Sequence, residues 1–265
     1  MTMVFLKDIA NIFFFITVSG IGILSYLQAR KTLFSPIKTE IFKLQIDAFQ
    51  DVLGVFNKNT QGDFDQIFSM FEIVNMNAAL MYKEYVDLFF KGKVSLNTEY
   101  FEELNKKSYG MIVKMPDDLE HFEFVEADTE LKESTKEEKS IEEPALKLAK
   151  WNEYKPVGIH FTKQYHDETN KLINIAASPL LPSELKDLMN AFLEDLQYNM
   201  NIIREVLIDA SKEMPSKFTT IEDTKKFSSY WVWNLYNRRR KDLTERSREI
   251  LDYINHYLQV RNLMK

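Results

Sequence analysis

No cysteine occurs in the 265 residues, which removes disulfides, thiolate zinc sites and thiol nucleophiles together. Turn formers are nearly as scarce. Seven glycines and seven prolines are too few for the many tight turns of an all-β fold. Gly20 and Gly22 sit in an apolar run and the other glycines are isolated, so neither a P-loop nor a dinucleotide fingerprint can be written. The four histidines (His121, His160, His166, His256) include no HExxH arrangement. His166-Asp167, with His160 six residues earlier, forms the dipeptide seen in metal-dependent phosphohydrolases, but a metal site needs several convergent ligands. Its plainer reading is a surface histidine near a helix start beside a solvated aspartate. No catalytic, cofactor-binding or metal-ligating residue is assigned from the sequence.

Charge is missing in one long stretch. From Ile9 to Ala29, between Asp8 and Arg30-Lys31, there is no charged residue. Roughly 20 mostly apolar residues at about 1.5 Å rise per residue are what a helix needs to cross a bilayer. The run lacks a basic start and a small-x-small cleavage site, which argues against a removed leader. We therefore expect a transmembrane helix over 9–29, with 1–8 as a short extracytoplasmic amino terminus. Arg30, Lys31, Lys38 and Lys43 follow the run while Lys7 alone precedes it. The excess of cations places the carboxyl-terminal side in the cytoplasm and the amino terminus outside.

What the chain does have is helical periodicity. At 45% hydrophobic and 28% charged it carries enough apolar mass for a core, and the expected fold is mainly α: one amino-terminal span followed by a cytoplasmic helical bundle with long amphipathic helices. The first helical region is expected over 30–125. Ser35-Pro36 predicts a kink or joint. Beyond it, Ile37, Ile41, Leu44, Ala48, Val52 and Val55 mark a helix over 36–56, with Phe42, Phe49 and Phe56 as a second row. A turn at 57–63 and a helix to about Phe90 complete an antiparallel hairpin over 36–90. A short helix follows Asn97, and Tyr109 to Val125 is the stretch that could include strand. Between Glu126 and Glu143 eight acidic and three basic residues with almost no apolar ones predict a charged flexible linker over 126–143.

The second helical region is expected over 144–265. Its clearest element runs from Pro182 to Met214, with Leu185, Met189, Phe192, Leu196, Met200, Ile203 and Leu207 on one stripe, stopped by Pro215. A last long helix is expected from Thr219-x-x-Glu222, at capping-box spacing, nearly to the terminus.

Two surfaces stand out. Arg238-Arg239-Arg240-Lys241 follow Trp231, Trp233 and Tyr236. Spread round a helix, these cations are candidates to meet phosphates of nucleic acid or of anionic lipid. The competing reading pairs them with Asp242, Glu245, Glu249 or the acidic linker. Ser19, Gly22 and Ser25 recur every third residue of the span and make a small-residue face for transmembrane packing. Together these features suggest a membrane-anchored protein that acts by protein binding, as scaffold, sensor or accessory subunit, through a protein partner or as a homo-oligomer. The alternative is an oligomeric membrane effector that perturbs the bilayer.

Overall fold

The computed structural model describes the backbone of residues 2–57, 60–113 and 143–262, with side chains at 14–32, 39–57, 60–113 and 143–258. The chain is mainly helical, as expected. In order, the elements are α1 (Thr2–Phe56), α2 (Gln61–Ile67), α3 (Met70–Phe89), α4 (Thr98–Lys107), β1 (Ser108–Val113), α5 (Pro144–Asn152), β2 (Gly158–Thr162), α6 (Lys163–Ala176), α7 (Ser183–Lys217), α8 (Ile221–Thr224), α9 (Tyr230–Arg239) and α10 (Thr244–Asn262). The linker expected over 126–143, apart from Glu143, and the part of the possible strand stretch beyond Val113 lie outside the described residues.

α7 is the spine. All seven residues of its predicted stripe are buried, and α3, α5, α6, α9, α10 and β2 pack around it. A helix with neighbours on so many sides buries polar residues too, and Asp195, Asn199 and Ser211 are inside. Phe192 is the hub, meeting Phe56, Phe64 and Phe68 with ring centroids 4.9, 5.3 and 6.1 Å away. Trp151 of α5 is pinned by its indole N–H donating to the Ser211 carbonyl at 2.8 Å. One core cluster draws residues from α1, α2, α3, α5, α6, α7, α9, α10 and β2.

Several expected boundaries move. α1 continues through Ser35-Pro36 as one helix, so the predicted joint is absent. A proline in a helix interior forfeits one backbone hydrogen bond and strains the preceding turn, and α1 tolerates this. Pro215 likewise lies inside α7, which ends at Lys217. Conversely, the helix expected between 64 and 90 is broken at Ser69, whose φ of 56° is left-handed. The break turns Phe71 outward onto Tyr230 and Trp233. The 36–90 hairpin is not the packing unit, since α1 lies mainly on α10 and α6 while α3 lies on α9, α7 and β2. Asn97 caps α4 as expected, accepting from the Tyr100 N–H at 3.1 Å.

The last helix is in three pieces. Thr220 and Asp223, rather than Thr219 and Glu222, form the capping box of short α8, and residues 240–243 separate α9 from α10. β1 and β2 form a two-stranded antiparallel sheet, with Met111 opposite His160 and Val113 opposite Gly158. β2 was not anticipated. The crossing needs Gly158, because a Cβ there would collide with the Met111 side chain and lie 3.0 Å from the Ile112 carbonyl oxygen.

Among the described residues α1 enters the core only near its end, where Ala48, Phe49, Val52, Val55 and Phe56 are buried. Phe14, Phe15, Ile16, Ile21, Ile23, Leu24 and Leu27 are all at least half exposed. From Phe14 to Leu44 the helix projects roughly 45 Å at 1.5 Å per residue. Among the described residues no helix is long and apolar enough to cross a membrane. The span expected over 9–29 is thus not supported by the structure, and its residues 9–13 lie outside those with described side chains.

Candidate functional site

The structure gives the basic turn an inward task. Arg238 and Arg239 end α9, Arg240 is its extended C-cap, and Lys241 lies in the connection to α10. They are therefore not spread round one helix. Arg239 donates to Asp209 of α7 at 2.6 Å. Arg240 is paired with Asp65 of α2, both side chains less than 15% exposed, and its guanidinium lies over the Trp233 and Tyr236 rings at 5.3 and 5.7 Å. Lys241 is paired with Asp195, which also accepts from Arg246 at 3.0 Å. The partners are carboxylates of α2 and α7, not Asp242, Glu245 or Glu249.

Backbone contacts lock the same turn. The Asn199 amide accepts from the Lys241 N–H at 2.7 Å and donates to its carbonyl at 2.9 Å. Gln61 accepts from the Leu243 N–H at 2.7 Å. Burial pushes the Asp195 carboxyl up, but the adjacent Lys241 ammonium and Arg246 guanidinium outweigh it and hold its pKa below the usual value. Hydrogen bonding by Arg239 lowers that of Asp209. Three of the four cations thus fasten the α9–α10 turn to the bundle. Arg238 is exposed and makes no ion pair among the described residues.

The second constellation was missed in the sequence because its members lie 31 and 83 residues from Asn77. Buried Asn77 of α3 donates to the His160 carbonyl at 2.8 Å and accepts from the His160 N–H at 2.9 Å. On the ring side, His160 Nδ1 is 2.8 Å from Ser108 Oγ. Burial lowers the His160 pKa, keeping the imidazole neutral near pH 7. A serine beside a neutral histidine is the start of a nucleophile and base pair, but such a pair also needs a group orienting the histidine and donors for a developing oxyanion. Asn77 holds the backbone of His160, not its ring. The geometry is that of a sheet edge closed by a side-chain amide.

His166 and Asp167 diverge. His166 Nε2 is 2.9 Å from Asn170 Nδ2 and its ring lies 4.7 Å from that of Tyr109, whereas Asp167 lines a cavity of about 590 Å³ between α1 and α6. Among the described residues no group of three His, Asp or Glu side chains converges to hold a metal.

Ser19, Gly22 and Ser25 lie on the projecting part of α1. All three are exposed, and a Cβ built at Gly22 meets nothing within 4 Å. Among the described residues nothing packs on this face that would explain their small size. Compared with known proteins, this chain matches no family model, no curated protein and no solved structure.

Proposed function

We propose that this chain is a membrane-anchored protein whose helical bundle acts in the cytoplasm by binding a protein partner, as a scaffold, sensor or accessory subunit. The observation that carries the reading is the projecting half of α1. An uncharged, mostly apolar helix whose described side chains stay exposed is a cost in water and a gain in lipid. Here the exposed apolar residues from Phe14 to Leu27 continue the uncharged run that begins at Ile9. The Arg30-Lys31 pair at its end suits the headgroup region on the cytoplasmic side. Binding is favoured over chemistry because the polar networks described above are consumed in holding the fold.

The absence of cysteine makes the test direct. Thr2→Cys and Lys150→Cys each give a single thiol. In intact cells a membrane-impermeant maleimide is expected to label Thr2→Cys, and to label Lys150→Cys only after permeabilisation. The membrane pellet is expected to retain the chain through alkaline carbonate. Extraction by carbonate, or labelling of Lys150→Cys in intact cells, overturns the reading. So does turnover of nucleotide or nucleic acid by the purified chain that one point substitution abolishes.

The second reading, an oligomeric membrane effector, is favoured by the uncovered small-residue face at Ser19, Gly22 and Ser25. Carbonate-resistant chain whose induced expression collapses the membrane potential would select it.

A further inference from the structure

α1 and α6 meet along a seam that is open to solvent. The 590 Å³ cavity is floored by Ala48 and Ile175 and walled by Asp51 and Asp167. Lys171 lines it and also the adjoining cavity of about 300 Å³, which Gln66 and Ile67 of α2 share with α1 and α6. The two helices run antiparallel here, since Ala48 lies near Ile175 while Val55 lies near Gln164. From Gln164 to Ile175 the seam follows α6 for about 17 Å, three helical turns at 1.5 Å per residue, and α2 bounds its lower end, where Gln164 donates to the Gln66 and Ile67 carbonyls. Ile41 and Leu44, half exposed, continue the Ala48 stripe of α1 beyond the upper end.

Its charge is one-sided. Lys171 lies 3.7 Å from Glu168, which cancels that pair. Asp51 and Asp167 make no ion pair and no hydrogen bond among the described residues. Asn170 and Asn174 add acceptor and donor groups on the α6 wall.

We propose that the α1/α6 seam is the docking groove for a basic amphipathic helix of the protein partner. This rests on the binding reading above. Two antiparallel helices with an apolar floor between them accept a third helix by ridges-into-grooves packing. An apolar face of Leu or Ile would sit over Ile175 and Ala48 and run on over Leu44 and Ile41, and flanking Lys or Arg would reach Asp51 and Asp167. An acidic helix would leave those carboxylates facing like charge.

The test uses the full chain in phosphatidylcholine nanodiscs and two labelled synthetic 18-residue amphipathic helices, one of Leu and Lys, one of Leu and Glu, with empty nanodiscs as blank. Fluorescence anisotropy should show binding of the Leu/Lys helix alone. Asp51→Asn with Asp167→Asn should weaken it by about 10-fold and flatten its salt dependence, as loss of complementary charge requires. Asp51→Lys with Asp167→Lys should reverse the preference. Thermal melts of these surface variants check that the bundle is intact. Unchanged affinity in the asparagine variant, or equal binding of both helices by the wild-type chain, overturns the proposal. A dimer in neutral detergent that the same substitutions dissociate would give the groove to a second copy, also overturning it. A membrane-bound, catalytically silent chain that ignores both helices sinks the groove alone, whereas the topology experiment fails independently of any peptide.

Discussion

At Asn77 one side-chain amide satisfies both the N–H and the carbonyl on the outer edge of β2. A buried backbone pair without partners costs about 1–3 kcal/mol per group. Asn77→Ala is therefore expected to lower the unfolding free energy by about 2–3 kcal/mol in urea titrations, and a loss below about 0.5 kcal/mol would refute that role. The neighbouring histidine gives the fold a pH dependence. Burial depresses the His160 pKa below its ordinary 6.5, so as pH falls the unfolded chain takes up the proton before the folded one does. Its contribution is complete above 6.5 and is lost as pH drops through 6.5 toward the folded value. Glu84, raised by burial, gives a slope of opposite sign just above 4.5, and Asp195 and Asp209, held low, act only below about 3.8. The urea midpoint between pH 7.5 and 5.5 should therefore fall in the wild type and flatten in His160→Gln. Parallel curves would exclude the histidine. Nothing local in the sequence marks Asn77 or His160, because their partnership spans the chain.

At the scale of elements, the breaks do not fall where proline alone would put them. Pro36 and Pro215 lie inside helices, while the interruptions at Ser69 and at 240–243 contain neither proline nor glycine. Distant partners hold the second, since the α9–α10 turn is fastened by Asp65, Asp195 and Asn199, while at the first Ser69 is left-handed and makes a local bond, its Oγ donating to the Glu72 carboxylate at 3.0 Å. The Arg240–Asp65 pair gives a sharp prediction. Asp65→Asn strands a guanidinium that is mostly buried, and should destabilise by about 3 kcal/mol in thermal or urea unfolding. Replacing both, Asp65→Leu with Arg240→Met, should recover most of that loss. If Asp65→Asn melted like wild type, the pair would be a surface contact and the basic turn would be free to meet phosphates after all. The cations were visible as a run, but their partners lie 30 to 175 residues away.

For the whole molecule, α1 joins two environments. Its last turns are core, wedged against α10 and α6, while from Phe14 to Leu27 its apolar side chains are exposed among the described residues. The labelling experiment with Thr2→Cys and Lys150→Cys therefore tests the arrangement of the entire chain. Sequence alone determined the helical character, the uncharged run at 9–29 and the α7 stripe, because 3.6-residue periodicity and run length are local properties written at consecutive positions. Only the tertiary structure decided that three cations of the basic turn face inward, that Asn77 closes a two-stranded sheet, and that α1 and α6 leave an acidic groove. Each of those depends on which distant segments are brought within a few ångströms, and burial, charge pairing and shape are fixed only once the chain has folded back on itself.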